Sequence, residues 1–210
     1  VRFQSPFEFG STYNLTTNDV THRGWNLARV GTGIYEYLLR PLHVTTQFPF
    51  LSFQELETGY IGETVYEPHF GGAIWYNSLI FLIFGGAMFW KKSDSDQKNR
   101  PVLKAMVLAS VISIVIMIAA DANMGGIVER YQSDFLWLLY IVIIICVLSK
   151  LNGIKEEGQK ASLRNKILVM TILTIFLNFL LLWVDDIYDV FDNNLTVYTN
   201  LKYLFEFWRF

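Results

Sequence analysis

The chain has 210 residues, of which 52% are hydrophobic and 17% are charged, and its mean hydropathy is +0.31. The charged fraction is well below the roughly 25% usual in soluble domains, which argues against an ordinary soluble protein. The formal net charge of −2 predicts no general attraction to nucleic acid, so no nucleic-acid partner is expected.

Residues 1–72 form a polar, aromatic-rich segment with turn and cap signals rather than a long apolar run. Within it, Trp25–Leu39 carries apolar residues at roughly helical spacing, and Pro41 follows. This pattern predicts a short helix that either lies in the membrane interface or packs on the rest of the segment. The interfacial position is slightly favoured, because a second apolar and aromatic patch, Phe48–Phe53, comes next.

Three histidines, His22, His43 and His69, lie in this segment. Their spacing matches no metal-ligand pattern, and the sequence contains no HExxH, CxxC, GxSxG, P-loop or GxGxxG motif. Structural or surface roles are favoured for them, and neither a metal nor a cofactor is expected. The one cysteine, Cys146, lies in an apolar block and predicts a small buried side chain.

Four apolar blocks follow the N-terminal segment. Each is long enough to cross the roughly 30 Å hydrocarbon core as a helix, the third only when its strictly apolar part, 135–148, is extended at both ends. They are apolar on every face, so lipid is the simplest solvent for them. The predicted fold class is an all-α integral membrane protein, with short helices and loops in an extracytoplasmic N-terminal segment. Its four transmembrane helices are predicted over residues 73–90, 102–120, 131–151 and 167–184.

The distribution of Lys and Arg predicts the orientation of these helices. Basic residues concentrate in the linkers 91–101 and 150–166, whereas the linker between the second and third blocks has only Arg130. The two basic linkers are therefore expected in the cytoplasm, and the protein in the cytoplasmic (inner) membrane. Three stretches are then outside: residues 1–72, 121–134 and 185–210. The last is dense in aromatic residues, which predicts a tail along the outer membrane surface.

The outer linker 121–134 holds the charges most suggestive of a site. If the third helix begins near Val128, Arg130 and Asp134 stand four residues apart on one face and can pair. In the structural interpretation, which is favoured, this pair anchors the start of the helix. In the functional interpretation, Arg130 faces the phosphate of a lipid-linked substrate, because a guanidinium contacts phosphate in a bidentate way and charges at membrane depth are often functional.

Several stretches of the sequence resemble large polytopic bacterial membrane proteins. The first is Arg2-Phe-Gln-Ser-Pro-Phe-Glu-Phe-Gly10, followed by Tyr13-Asn-Leu-Thr16, with Gln4 where the pattern usually has glycine. The second, Glu129-Arg-Tyr-Gln-Ser-Asp-Phe135, is similar to an Arg-Tyr-x-x-Asp-Phe motif that opens a helix, and Phe-Trp-Arg at 207–209 also fits. These proteins are similar to the GT-C class of membrane glycosyltransferases.

That resemblance implies the C-terminal portion of an enzyme that transfers a sugar from a polyprenyl-phosphate carrier in cell-envelope glycan assembly. In the class, the catalytic carboxylate lies in the first outer loop, upstream of anything present here, so no catalytic residue is assigned. Upstream transmembrane helices of the same protein, the bilayer and a polyprenyl-phosphate-linked sugar are the expected partners. The residues assigned to substrate binding are the motif positions Arg2, Glu8, Arg130 and Asp134, together with Glu129, which directly precedes the second motif.

Two other functions stay open. A transporter or flippase segment is disfavoured, because the apolar blocks hold almost no ionisable residue and no proline that would break a helix. A non-catalytic membrane scaffold, whose outer part binds partners, is compatible with the whole sequence.

Overall fold

The structure is a computed structural model that describes residues 24–55, 70–84, 100–184 and 193–209. These residues are mostly helical. In chain order the helices are α1 (Leu27–Ile34), α2 (Ala73–Tyr76), α3 (Phe81–Phe84), α4 (Arg100–Ala120), α5 (Gln132–Gly153), α6 (Glu157–Leu181) and α7 (Leu195–Phe205). Short π or 3-10 turns extend or join them at Tyr35–Leu39, Ser78–Ile80, Asp121–Gly125, Glu129–Tyr131 and Phe207–Arg209. Two short strands, β1 (His43–Val44) and β2 (Leu51–Ser52), pair antiparallel.

Three stretches are long and apolar enough to cross a membrane, namely Arg100–Gly125, Glu129–Gly153 and Glu157–Leu181. They coincide with the second, third and fourth apolar blocks of the sequence. Only 17% to 28% of each apolar window is buried inside the chain, so most of that surface is left for lipid or for other helices. These helices are compatible with the predicted multi-pass membrane protein.

The last of the three, α6, begins at Glu157 rather than near Ile167, where its apolar block starts. The added residues are polar but include good helix formers such as Lys and Glu. The Lys160 ammonium lies 2.7 Å from the Glu157 carboxylate in this first turn. A polar helical extension of this kind carries no apolar signal, so hydropathy alone does not show where the helix begins. The start of the membrane span at residue 167 stays a prediction.

The first apolar block, 73–90, is not one continuous helix where the structure describes it. The chain leaves helical geometry at Asn77, whose φ is −118° and ψ is 74°, so that α2, a 3-10 turn and α3 follow one another. The Tyr76 carbonyl accepts a hydrogen bond from the Asn178 side-chain amide at 3.2 Å, and Ser78 Oγ donates to the Met170 carbonyl at 2.9 Å. A break among apolar helices is tolerated when neighbouring helices satisfy the freed backbone groups in this way. Residues 85–90 lie outside the described ranges, so a complete span here stays a prediction.

The long helices define two ends of the bundle. The Asp121 end holds the end of α4, the start of α5 and the end of α6, whereas the Lys150 end holds the end of α5 and the starts of α4 and α6. Antiparallel α4 and α5 pack through two layers, with Ile118 against Phe135 and Val107 against Val142. The broken segment packs against both α5 and α6, where Tyr76 and Ile80 join Ile143 and Leu180 in one core cluster.

The first helix packs on the Asp121 end. A Cβ placed on Gly33 would lie 2.9 Å from the Ala122 Cβ, so α1 crosses the end of α4 at close range. Tyr37, which is fully buried in the π turn after α1, packs edge-to-face on Phe135 with ring centroids 5.6 Å apart. The other face of α1 remains exposed at Leu27. The helix predicted over Trp25–Leu39 is therefore present, and it packs on the long apolar helices through one side.

The hairpin tip between β1 and β2 is covered by the C-terminal helix. The Phe48 ring stacks on Phe205 of α7 with centroids 5.4 Å apart, and Phe50 stacks on Trp208 at 6.3 Å. The Tyr198 hydroxyl donates to the Phe48 carbonyl at 3.0 Å. The aromatic tail therefore docks on the hairpin rather than lying free of the rest of the chain.

Candidate functional site

The linker between α4 and α5 is fixed by one buried phenol. The Tyr37 hydroxyl accepts from the Val128 amide at 2.9 Å and lies 3.2 Å from the carbonyl oxygens of both Gly126 and Val128. Gly126 has a φ of 99°, a conformation that glycine adopts without steric cost. Burial raises the pKa of this tyrosine, so the phenol stays neutral and can both donate and accept. The position of Glu129 and Arg130 follows from this anchored backbone.

A pocket of about 360 Å³ opens beside these two residues at the Asp121 end. Its size falls in the lower part of the range usual for small-molecule sites. It lies between the start of α5, the end of α6 and the segment that leads into α2. Its polar lining is Tyr76, Glu129, Arg130, Gln132, Ser133 and Asn178, and its apolar lining is Phe70, Leu136, Leu181 and Leu182.

Two buried side chains of the pocket hold the segment before α2 in place. The Glu129 carboxylate accepts from the Phe70 amide at 3.2 Å. The Gln132 side chain accepts from the Tyr76 hydroxyl and donates to the Gly71 carbonyl, the latter at 3.3 Å. Both residues are at least nine-tenths buried. Their first role is therefore to build the wall of the pocket, because an unsatisfied buried backbone group is costly.

Arg130 is the cationic group that lines the pocket, and its side chain is exposed. Its guanidinium carbon lies 5.7 Å from the centre of the adjacent Tyr131 ring, within the range of a cation–π contact. The 3-10 turn that carries Arg130 is the junction between the anchored linker and α5. A guanidinium in this position can form bidentate hydrogen bonds to an anion that enters the pocket.

The structure describes three of the five residues assigned to substrate binding. Glu129 and Arg130 line one pocket, whereas Asp134, which is exposed in the first turn of α5, is not among the residues around it. The Asp134 backbone carbonyl accepts from the Trp137 indole at 2.7 Å. The remaining two, Arg2 and Glu8, lie outside the described residues.

Sequence reasoning missed the residues that complete the pocket from other parts of the chain. Asn178 is a polar residue within the fourth apolar block, and neither it nor Tyr76 and Gln132 carried a sequence signal that they would meet at one pocket. A neighbouring ion pair was also missed: Arg40 Nη1 lies 2.6 Å from Glu36 Oε2. Burial raises the pKa of Glu36, and the hydrogen bond and charge of Arg40 act in the opposite direction.

This pair supports the pocket wall indirectly. The Arg40 carbonyl accepts from the Gly72 amide at 2.7 Å, and Arg40 Nη2 donates to the Glu55 carbonyl at 2.7 Å.

Among the residues that the structure describes, no group of three or more His, Cys, Asp or Glu side chains could hold a metal ion. The pocket lining therefore combines one exposed guanidinium, the buried Glu129 carboxylate that accepts from the Phe70 amide, neutral polar groups and apolar side chains.

Comparison with protein-family models, with curated proteins and with solved structures finds no match for this chain.

Proposed function

We propose that this chain is the C-terminal portion of a membrane glycosyltransferase of cell-envelope glycan assembly that uses a lipid-linked sugar donor. In this proposal the pocket at the Asp121 end takes the phosphate of the polyprenyl carrier, and Arg130 is the group that contacts it. Acid–base catalysis is left to a carboxylate outside this sequence. The GT-C-like motif Arg-Tyr-x-x-Asp-Phe, which includes Arg130, supports the same assignment.

The observation that carries the proposal is the exposed guanidinium of Arg130 at a pocket that is lined by both polar and apolar side chains. A polyprenyl phosphate needs both kinds of lining, since its anionic head is joined directly to a hydrocarbon chain. The Arg130 guanidinium would stabilise the negative charge on the phosphate as the sugar departs. Phe70, Leu136 and Leu182 would contact the first isoprene units.

The proposal also places the Asp121 end outside the cytoplasm, together with residues 1–72 and 185–210. The concentration of basic residues in 91–101 and 150–166 supports this orientation, and the three apolar helices support a multi-pass membrane protein. The lipid-linked donors of this chemistry are used on that side of the cytoplasmic membrane, as the GT-C resemblance implies.

The direct test is binding of a polyprenyl phosphate to the full chain in nanodiscs. Replacement of Arg130 by alanine is expected to weaken binding by about tenfold to a hundredfold, because hydrogen bonds to charged groups contribute roughly 1.5–3 kcal/mol. Arg130→Lys should recover part of the loss, since it keeps the charge but not the bidentate geometry. Arg164→Ala, which removes an exposed arginine at the Lys150 end, is the matched control. Equal affinities for Arg130→Ala and Arg164→Ala would reject the phosphate role.

A transporter or flippase segment is the second candidate, and one observation favours it. The chain breaks at Asn77 between α2 and the following 3-10 turn, and discontinuous helices line the substrate sites of many transporters. Proteoliposomes with a fluorescent polyprenyl phosphate separate the two functions. Transbilayer movement above that of protein-free vesicles supports the flippase, whereas binding without movement supports the transferase. A scaffold predicts neither binding nor movement.

A further inference from the structure

A second pocket, of about 380 Å³, lies at the Lys150 end of the bundle, opposite the Arg130 pocket. It opens between the last turns of α5 and the first turns of α6. Phe81 and Leu82 of α3 line it from the side. It therefore combines the polar ends of two long helices with an apolar wall from the broken segment.

The polar lining of this pocket is cationic. Lys150 of α5 and Lys166 of α6 both line it, together with the Ser162 hydroxyl and the Gln159 amide. Lys150 is half-buried and Lys166 is exposed. The pocket lining contains no carboxylate, so both lysines border a space without an acidic partner in its wall.

The nearest acidic residues on the connection to α6 are already engaged. The Glu156 carboxylate accepts from the Gln159 amide at 2.6 Å, and the Glu157 carboxylate pairs with Lys160 at 2.7 Å. Within the described part of the chain, neither Lys150 nor Lys166 forms an ion pair. An anion that enters the pocket would therefore meet both ammonium groups without displacing an existing salt bridge.

The apolar wall decides which anion fits. Phe81, Leu82 and Met170 border the same space as the two lysines, so a bound phosphate would have hydrocarbon beside it. Lysine side chains near the ends of transmembrane helices extend their charge to the membrane–water interface. Basic pockets between transmembrane helices bind anionic lipid head groups through this arrangement.

We propose that the pocket between Lys150 and Lys166 binds the phosphate of an anionic phospholipid in the adjoining leaflet. The two ammonium groups and the Ser162 hydroxyl contact the phosphate oxygens, and the acyl chains pass along Phe81 and Met170. The lipid joins the ends of α5 and α6 to the broken segment. This site is independent of the Arg130 pocket, so either proposal can fail without the other.

Native mass spectrometry of the full chain, with phosphatidylglycerol or phosphatidylcholine added, tests the site. The double variant Lys150→Gln/Lys166→Gln is expected to bind phosphatidylglycerol about thirtyfold more weakly. Each lysine near an anionic lipid surface contributes a factor of about five to six in affinity, and the two factors multiply. The control Lys155→Gln/Arg164→Gln removes the same charge from the same end but leaves the pocket lining intact. It should bind phosphatidylglycerol as the parent chain does, and phosphatidylcholine should be retained poorly by all variants.

Two results would overturn the proposal. Equal losses in the pocket and control variants would show general attraction to basic residues rather than a site. Complete displacement of phosphatidylglycerol by millimolar inorganic phosphate would show a site for free phosphate, because the acyl chains would then contribute nothing. If the double variant does not fold, the single variant Lys166→Gln replaces it, because Lys166 is exposed and its replacement should not disturb folding. Its affinity for phosphatidylglycerol is expected to be about fivefold lower than that of the parent chain.

Discussion

The Tyr37 hydroxyl and the Val128 backbone bond to each other in both directions, across 91 residues of sequence. The amide of Val128 donates to the phenol oxygen at 2.9 Å, and the Val128 carbonyl lies 3.2 Å from that oxygen. One side chain of the N-terminal segment thus fixes the linker that carries Arg130. The geometry of the candidate site depends on this contact.

Replacement of Tyr37 by phenylalanine should destabilise the chain by about 1–3 kcal/mol, because a buried amide and two carbonyls lose their shared partner while the ring contact with Phe135 remains. Thermal unfolding in detergent would measure the loss. Tyr35→Phe, on the exposed side of the same π turn, is the control and should change stability by less than about 0.5 kcal/mol. Equal stabilities of the two variants would contradict the anchoring role.

Two glycines of α1 offer a matched pair. A Cβ on Gly33 would lie 2.9 Å from the Ala122 Cβ and 3.2 Å from Ile118 Cγ2, whereas a Cβ on Gly31 meets nothing within 4 Å. Gly33→Ala should therefore destabilise the chain by about 1–3 kcal/mol through overpacking. Gly31→Ala should stabilise it by up to about 1 kcal/mol through helix propensity. Unfolding temperatures that move in the same direction for both variants would argue against the close α1–α4 crossing.

The docking of the C-terminal tail should depend on pH through Glu206. The Phe48 amide and, to a lesser degree, Arg209 lower the pKa of this carboxyl below its ordinary value of 4.5. A carboxyl with a lowered folded pKa contributes stability that is present above pH 4.5 and is lost as the pH falls through the folded pKa. The unfolding temperature of the parent chain should therefore decrease below about pH 4.5. Glu206→Gln should flatten this dependence, and an unchanged slope in that variant would remove Glu206 as the cause.

The break at Asn77 should depend on the polar groups of α6. Replacement of Asn178 by leucine removes the donor to the Tyr76 carbonyl, and interhelical hydrogen bonds in membranes contribute about 0.6 to 1.7 kcal/mol. Thr171→Val is the control, because the Thr171 hydroxyl bonds only within α6, to the Ile167 carbonyl at 2.8 Å. Steric trapping or thermal unfolding should show a larger loss for Asn178→Leu. A larger loss for Thr171→Val would show that Asn178 does not support the break.

The sequence predicted the long elements well and the contacts between distant segments poorly. α4 and α5 follow from uninterrupted apolar runs, which lipid favours as helices whatever the tertiary structure is. The break at Asn77 left only a weak local signal, the polar pair Asn77-Ser78 inside an apolar block, and the groups that satisfy it come from α6. The hairpin tip at Phe48 is likewise held by Glu206, which is 158 residues away.

The candidate site shows the same division. Glu129, Arg130 and Asp134 were assigned to substrate binding together from one motif-like stretch of sequence. Glu129 and Arg130 line the pocket, whereas Asp134 is not among its lining residues. Tyr76 and Asn178 reach the pocket through tertiary packing, which spacing rules applied to one stretch of sequence do not describe.

The most direct test of the proposed function measures both lipid binding at the Arg130 pocket and the side of the membrane on which this pocket lies. Ser133→Cys places a thiol in the lining of the Arg130 pocket, and Met124→Cys places one at the same end but outside the lining, both on a Cys146→Ala background. Intact cells are treated with a membrane-impermeant maleimide, and purified protein is treated with and without a polyprenyl phosphate. The account predicts that both thiols are labelled from outside and that the lipid slows labelling only at position 133. Labelling that requires permeabilised cells, or equal rates at position 133 with and without the lipid, would contradict it.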